Sequence, residues 1–323
     1  MTVQVVGLGA LNVDHIYQVE RILDDGETVV KSSTVSPGGS AANTIYGLAK
    51  LGVKAGFIGV VGDDDDGKLL TQDFQKVGVD TSQIEVKSQV KTGSVMCLSD
   101  SLGKRSLYVL PAANNLFTVD DLNFEYINQA KMLHLSSFAD FLEFKLDNLN
   151  PALKLSFTPG ALYATKGLKT LAPILKRTDI LFINLDEIKQ LTGQDVVAGA
   201  ETCINQGCRT VVITLGKGTD IKTSRGNHFS TVNTVCYIRD TGNEYLINTP
   251  EQELAPVIDT TGAGDAFTTG FLYGQLKGKG LEECGYLGNI VAQFSISKIG
   301  AREGLPTLDE LSQCYQKLYN KEL

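Results

Sequence analysis

The residues with the clearest chemical potential lie in segment 259–267, which reads Asp-Thr-Thr-Gly-Ala-Gly-Asp-Ala-Phe. Its Gly-Ala-Gly turn leads into an apolar-periodic helix predicted over about 265–277. Glycines at such a turn let backbone N–H groups converge at the helix N-terminus, where they can bind an anion. Gly262, Ala263 and Gly264 are therefore predicted to form an anion hole that stabilises a phosphoryl group during its transfer.

Asp265 follows this turn directly and lies in the predicted first turn of the helix. A carboxylate beside a bound phosphate is electrostatically costly unless it takes part in the reaction. Its natural role is that of a general base, which accepts the proton of an attacking hydroxyl. The alternative is that Asp265 only caps the helix, as aspartate often does. This segment alone leaves both interpretations open.

A second segment, 36–43, reads Ser-Pro-Gly-Gly-Ser-Ala-Ala-Asn and enters another predicted helix. Gly38 and Gly39 allow the backbone to approach a ligand closely. Asn43, about one turn into the helix, offers both a donor and an acceptor to a polyol. The alternative is that this segment is only a turn before a helix.

The elements that must position these residues alternate between strand-like and helical patterns. Buried strands are predicted at 3–9, 55–62, 131–136, 180–184 and 210–214, and helices at 41–51, 68–77, 167–176, 186–191, 198–206, 266–277 and 307–323. This alternation predicts a parallel sheet covered by helices on both faces.

Two segments, 13–35 and 90–110, depart from that alternation and show a period of two residues with turn residues between them. Alternation favours antiparallel strands with one solvated face. We therefore predict a small β-sheet, the flap, that closes over a site or pairs with a second copy. Because no linker or repeat divides the chain, residues 1–323 are predicted to form a single domain.

Composition and charge exclude several classes of function. The formal charge of −8 over 323 residues argues against a nucleic-acid partner, because phosphate backbones are bound by clustered Lys and Arg. No uncharged apolar run approaches the roughly 18 residues of a membrane span, and no targeting segment is visible. The six cysteines are scattered without a zinc-binding spacing. We expect a cytoplasmic protein with reduced thiols and no membrane association.

Two partial motifs suggest other nucleotide sites, but each lacks residues that the motif requires. A Gly-Leu-Gly at 7–9 resembles a dinucleotide fingerprint, but Asn12 replaces its third glycine and a β pattern follows. Segment 62–68 fits the start of a P-loop, but Leu69 lacks the required hydroxyl and four carboxylates would repel phosphate. We predict instead an acidic turn that caps a helix beginning near Lys68.

Segments 36–43 and 259–267, in this order and about 220 residues apart, resemble the two signatures of the ribokinase-like carbohydrate kinase family, also called the phosphofructokinase-B type. The resemblance covers nearly the whole chain. Segment 9–14 is similar to the family's sugar-binding opening, and 184–187 looks like its Asn-x-x-Glu motif. Segment 214–216 looks like the entry to its nucleotide loop.

The resemblance implies an α/β fold with a central, mostly parallel sheet flanked by helices in three layers and a β-flap over the active site. It implies transfer of the γ-phosphate of ATP, with Mg²⁺, to a sugar or nucleoside hydroxyl, and a homodimer formed through the flap. Asp265 would be the base and Gly262 to Gly264 the anion hole. Substrate would be bound by Asn12, Asp14, Gly38, Gly39 and Asn43, and ATP by Asn184, Thr214, Gly216, Gly218 and Asn289. Glu187, with Asn184, would position Mg²⁺ through water, and Asp259 matches the position at which some relatives bind a monovalent cation such as K⁺.

Departures from the family pattern leave the substrate open. Gly218 arrives one residue early in the nucleotide loop, and Ser40 stands where ribokinases proper carry a lysine. After Ser136 no carboxylate occurs until Asp140, although ribokinases supply a glutamate there. A sugar phosphate would need basic residues in the flap, for which the candidates are Lys31, Lys91, Lys104 and Arg105. The alternative function is a non-catalytic sugar or nucleotide sensor on the same fold.

Overall fold

Short apolar segments form the strands because both faces of a parallel sheet are buried under helices. The structure is a computed structural model that describes residues 3–101, 105–136, 146–216, 221–222, 228–229, 234–248 and 256–323. The strands are β1 Val5–Leu8, β2 Asn12–Gln18, β3 Ser32–Gly38, β4 Ala55–Gly62, β5 Asp80–Lys87, β6 Gly93–Ser99, β7 Arg105–Leu110, β8 Met132–Ser136, β9 Lys154–Thr158, β10 Ile180–Asn184, β11 Thr210–Thr214, β12 Ile221–Lys222, β13 His228–Phe229, β14 Thr234–Asp240 and β15 Glu244–Asn248.

The helices run between these strands and after them. They are α1 Ser40–Lys50, α2 Asp65–Lys76, α3 Phe124–Asn128, α4 Gly160–Ala164, α5 Gly167–Arg177, α6 Leu185–Thr192, α7 Val196–Asn205, α8 Ala263–Leu276, α9 Leu281–Ser295 and α10 Leu308–Tyr319. Within the described ranges, none of them has the length and apolar character needed to cross a membrane.

The central sheet has nine strands in the order β15-β14-β11-β10-β9-β8-β1-β4-β5. The strands from β11 to β5 in this order pair in parallel, and β14 and β15 add an antiparallel edge. The sheet separates two apolar cores. Ile45 of α1 and Phe271 of α8 belong to one core, and Leu171 of α5 and Ile188 of α6 to the other. The predicted mostly parallel sheet flanked by helices is confirmed.

Strands β5, β9, β14 and β15 were not predicted. β5 is a half-exposed edge strand, and β9 is a short segment, Lys-Leu-Ser-Phe-Thr, whose polar residues weaken its strand pattern. α2 and α8 begin earlier than predicted, at Asp65 and Ala263. The acidic turn does cap α2, because the Asp64 side chain accepts a hydrogen bond from the Gly67 amide at 3.0 Å.

The predicted small sheet is present and has four strands in the order β3-β2-β6-β7. Its outer pairs are antiparallel, but β2 and β6 at its centre are parallel, so the prediction of antiparallel strands was wrong for that pair. β3, at Ser32–Gly38, extends beyond the end of the alternating segment predicted at 13–35. The flap therefore continues directly into the glycine pair before α1.

Candidate active site

Several of the predicted site residues follow strands at one edge of the sheet. Asn184 and Thr214 end the neighbouring parallel strands β10 and β11 and are directly paired in register. Asn12 follows β1 and begins β2 of the flap. In open α/β sheets this carboxyl edge is where ligands bind.

The predicted anion hole forms the start of α8. Gly262 is the N-cap residue, with a left-handed φ of 72°, and a Cβ there would lie 2.5 Å from the Cβ of Ala301. At Gly264 an added Cβ would meet no described atom within 4 Å, so this face of the turn is open. The first N–H groups of a helix lack intrahelical partners, and the turn therefore presents donors to an anion, although the Ala263 amide also makes a 3.3 Å hydrogen bond to the Thr260 carbonyl.

The carboxylate of Asp265 is held by two side chains of α1. Ser40 Oγ donates to Oδ1 at 2.7 Å, and Asn43 Nδ2 donates to Oδ2 at 2.8 Å. Helices α1 and α8 approach closely because Gly47 faces Thr269, where a Cβ would lie 2.7 Å from the threonine methyl. Each oxygen keeps a lone pair for a further partner, because a carboxylate accepts about four hydrogen bonds.

The environment of Asp265 moves the pKa of its carboxyl group toward neutral pH. Burial raises the pKa of Asp265 to about 6. The hydrogen bonds from Ser40 and Asn43 and the charge of Arg302 oppose this shift, and the charge of Glu187 adds to it. A base with a pKa near the working pH is the most effective for proton transfer.

Arg302 lies beside this carboxylate and was missed in the sequence. Its guanidinium donates through Nε to Asn43 Oδ1 at 2.9 Å, through Nη1 to Asp73 Oδ2 at 2.8 Å and through Nη2 to the Gly38 carbonyl at 3.2 Å. The side chain is buried. Two aromatic rings lie about the guanidinium, those of Tyr46 and Phe74. The buried cation thus joins the glycine segment, α1 and α2.

The glycine pair packs against the start of the flap. A Cβ at Gly38 would lie 2.5 Å from the carboxylate of Asp14, and one at Gly39, where φ is 97°, would lie 2.2 Å from the Ala10 carbonyl. Burial raises the pKa of Asp14 to about 6, while the charge of Arg302 lowers it. The charge of Asp265 also raises the pKa of Asp14, so the two carboxylates share one site.

Asn12 is held by a residue that sequence reasoning also missed. Asn114 Nδ2 donates to Asn12 Oδ1 at 3.0 Å and to the Leu11 carbonyl at 3.1 Å. The Leu11 amide donates in return to Asn114 Oδ1 at 3.1 Å. Both asparagines are buried, and the orientation of Asn12 is therefore fixed.

Asn184 and Glu187 form a reciprocal capping box at the start of α6. The Glu187 amide donates to Asn184 Oδ1 at 2.8 Å, and the Asn184 amide donates to Glu187 Oε2 at 3.1 Å. Burial raises the pKa of Glu187, and the hydrogen bonds with Asn184 partly offset this increase. The effect of Glu187 on the pKa of Asp265 shows that their carboxylates interact.

The remaining residues predicted to bind the nucleotide are less closely connected to Asp265 and its partners. Gly216 follows β11 with a left-handed φ of 59°, and Gly218 lies outside the described residues. Asn289 is buried in α9, where its Oδ1 accepts from Gln293 Nε2 at 3.2 Å. Among the described residues, the amide nitrogen of Asn289 has no hydrogen-bond partner. A ligand could satisfy this donor.

Asp259 already has a charged partner. Arg105 Nη2 donates to its Oδ1 at 2.9 Å, and the amides of Thr261 and Gly300 donate to Oδ1 and Oδ2, each at 2.9 Å. Burial alone would raise the pKa of Asp259, but these hydrogen bonds and the charge of Arg105 hold it below its ordinary value. Arg105 belongs to the flap, which the sequence did not connect with this loop.

Comparison with known proteins identifies the class that this fold and site define. Residues 3–308 match the pfkB family carbohydrate kinase model, and the chain therefore belongs to that family. The chain is 38% identical over 267 residues to an uncharacterized sugar kinase of Archaeoglobus fulgidus, covering 80% of this chain and 98% of that protein. It is 30% identical over 329 residues to a ribokinase of Staphylococcus aureus, covering 97% of this chain and all of that protein.

Solved structures agree with the fold. The structure of Arabidopsis thaliana ribokinase complexed with ribose and ATP superposes with a TM-score of 0.80 at 24% identity, covering 97% of this chain and 98% of that one. Family membership and fold together support, at a general level, an enzyme that transfers phosphate from ATP to a small hydroxylated molecule.

The buried position of Arg302 predicts a large stability effect. Arg302→Met should lower the free energy of unfolding by about 3–5 kcal/mol, because it removes the buried partner of the Asp73 carboxylate and leaves it only the exposed Lys76 at 3.6 Å. Urea denaturation measures the change.

Arg209→Met is the matched control, since the Arg209 side chain is exposed and its partner Asp179 keeps Arg177, so Arg209 should contribute only about 0–1 kcal/mol. Equal losses in the two variants would contradict a central role for Arg302.

Proposed function

We propose that this protein transfers the γ-phosphate of ATP in line to a hydroxyl of a sugar or nucleoside, with Asp265 as the base and the amides of Gly262 to Gly264 as the anion hole. The observation that carries this proposal is the position of the Asp265 carboxylate. It lies at the N-terminus of α8 and is oriented by Ser40 and Asn43. We propose residues 1–323 as one kinase domain, supported by the family match over 3–308.

The two hydrogen bonds to Asp265 suit a base and not a simple helix cap. A capping carboxylate accepts from the backbone amides of its own helix. This one accepts instead from side chains of α1, which also borders the proposed substrate site. It remains free to accept the proton of a substrate hydroxyl. The adjacent amides then stabilise the charge that develops on the transferring phosphoryl group.

The proposed substrate site is rich in hydrogen-bonding groups. Asn12, Asp14 and Asn43 supply carboxamide and carboxylate groups, which match the donors and acceptors of a polyol. Gly38 and Gly39 let the backbone pass close to them. The relatives named as a sugar kinase and a ribokinase favour a sugar as the acceptor, and a nucleoside also carries suitable hydroxyls.

The basic flap residues that the structure describes already have partners within the protein, and this favours a neutral acceptor over a sugar phosphate. Lys31 pairs with Glu20, and Lys91 lies 3.9 Å from Asp64, so both cations have carboxylate partners. Arg105 is bound to the loop at 259–261. Lys104 lies outside the described residues.

ATP would bind along the sheet edge, in contact with Asn184, Thr214, Gly216 and Asn289. Gly218, which lies outside the described residues, is still predicted to contact ATP as well. The Mg²⁺ that family membership implies suits the site, because Glu187 offers a half-buried carboxylate close enough to interact with that of Asp265. Glu187 and Asn184 would hold the ion, which when bound neutralises phosphate charge. Closure of the flap would exclude water and limit hydrolysis of ATP.

The central prediction concerns Asp265→Asn, which keeps the shape of the side chain but removes the base. Release of ADP should be followed with ATP and Mg²⁺ over a panel of sugars, nucleosides and sugar phosphates. On the accepted substrate the variant should lose on the order of 10² to 10⁴ in kcat and retain ATP binding. Asp309→Asn, the same change in the first turn of α10, is the control and should match the wild type. Full activity of Asp265→Asn would refute the role of base.

The pH dependence follows from the raised pKa of Asp265. The base must be ionised, so kcat/KM should fall as the pH decreases through about 6, above the ordinary range of aspartate. Arg302 favours the ionised form, and Arg302→Met should therefore move this acidic limb to higher pH. Arg302→Lys retains the charge and should leave the limb near its wild-type position. A limb near pH 4, or one unmoved in Arg302→Met, would contradict this electrostatic account.

We also propose a homodimer formed through the flap. Its support is the exposed apolar surface of edge strand β7, where Leu107 is 64% and Val109 47% exposed. Leu107→Asp combined with Val109→Asp should convert the dimer into a monomer, as measured by sedimentation equilibrium. Leu162→Asp, at a 68% exposed position outside the flap, should leave the dimer intact. A monomeric wild-type protein would contradict the proposal.

A further inference from the structure

Arg105 connects the flap to the loop that precedes the anion hole. It is the first residue of β7, and its side chain is 32% exposed. Nη2 donates to Asp259 Oδ1 at 2.9 Å and to Thr260 Oγ1 at 2.8 Å, while Nη1 donates to Thr261 Oγ1 at 2.8 Å. One guanidinium therefore binds three consecutive side chains that lie more than 150 residues away in the chain.

The contacts of Asp259 do not suit the monovalent cation expected at this position. Its Oδ1 accepts from Arg105, from the Thr261 amide at 2.9 Å and from Thr261 Oγ1 at 2.8 Å. Its Oδ2 accepts from the Gly300 amide at 2.9 Å. The carboxylate is surrounded by donors, one of them positively charged. A cation bound there would be repelled by the guanidinium at close range.

We propose that Arg105 is the built-in cation of this loop: its guanidinium supplies at Asp259 the positive charge that a bound K⁺ would otherwise supply, and the enzyme therefore works without K⁺. This inference rests on the proposed kinase function. Arginine suits the role because it is always charged and its planar fork binds several acceptors at once. Lysine would place a single point charge there and could not span the three side chains.

The same contacts link the guanidinium to the shape of the anion hole. The Thr260 carbonyl accepts from the Ala263 amide at 3.3 Å, so the position of Thr260 affects the turn that starts α8. By holding the hydroxyls of Thr260 and Thr261, Arg105 fixes the residues directly before Gly262. Arg105 is thus a positioning residue that also brings positive charge near the transferring phosphate.

Because Arg105 belongs to the flap, its charge reaches the loop only while the flap contacts that loop. In the flap sheet β7 pairs with β6, which pairs in parallel with β2, and β2 begins at the proposed substrate residue Asn12. Substrate contacts and the guanidinium therefore belong to the same small sheet. One movement of the flap would therefore exclude water and bring the Arg105 guanidinium to the loop. A K⁺ ion that binds from solution would not be coupled to the movement of the flap in this way.

The test compares the wild type with Arg105→Gln in potassium chloride and in choline chloride at equal ionic strength. The wild type should show the same melting temperature and the same rate of ADP release in both salts. Arg105→Gln should lose on the order of 10²-fold in kcat in choline, should recover part of that loss with K⁺ or guanidinium, and should melt at a higher temperature in K⁺. Arg209→Gln removes a 79% exposed arginine outside the flap, which pairs with Asp179, and should show neither effect.

Three results would overturn the proposal. The first is specific stabilisation or activation of the wild type by K⁺. The second is an Arg105→Gln variant that keeps its activity. The third is a loss of activity that no cation restores and no K⁺-dependent change in melting temperature. The melting measurement needs no substrate, so a failure of the proposed kinase function, seen as no ADP release from any acceptor, is distinguished from a failure of this inference.

Discussion

The arrangement of the site depends on a single buried cation. Arg302 binds Asn43, Asp73 and the Gly38 carbonyl, and its charge offsets those of Asp14 and Asp265. Two carboxylates in one enclosed site would otherwise repel each other and take up protons. With Arg302 in place, Asn43 has one orientation, in which its carbonyl accepts from the guanidinium and its amide donates to Asp265. Stability and chemistry therefore rest on the same interaction.

The flap extends this constraint to ligand binding. β3 runs directly into the glycine pair that packs on Asp14, and β2 starts at Asn12, so the flap strands begin or end within the proposed substrate site. At the other end of the flap sheet, Arg105 contacts the loop before the anion hole. A movement of the flap would therefore change the proposed substrate site and the proposed anion hole together. Such coupling is what an enzyme needs if phosphate is to reach a hydroxyl and not water.

Local patterns predicted the parts of the molecule whose causes are local. Sequence patterns predicted the buried strands β4, β10 and β11 and the glycine turn before Asp265. A buried strand requires a continuous apolar run, and a left-handed backbone favours glycine, so both features are visible in neighbouring residues. The contacts of Arg302 and Arg105 could not be found in this way. Their partners lie more than 150 residues away in the chain, and an arginine in a polar segment is usually exposed. The parallel β2–β6 pair was missed for a similar reason, since alternation predicts a strand but not the direction of its neighbour.

The most direct test of the account is a crystal structure of the protein with a non-hydrolysable ATP analogue and the hydroxyl compound that it phosphorylates. The account predicts that the reacting hydroxyl lies about 2.6–3.2 Å from a carboxylate oxygen of Asp265 and in line with the γ-phosphate. It also predicts that the γ-phosphate contacts the amides of Ala263 and Gly264. A substrate bound with its reacting hydroxyl away from Asp265, or a phosphate held elsewhere than at the start of α8, would contradict it.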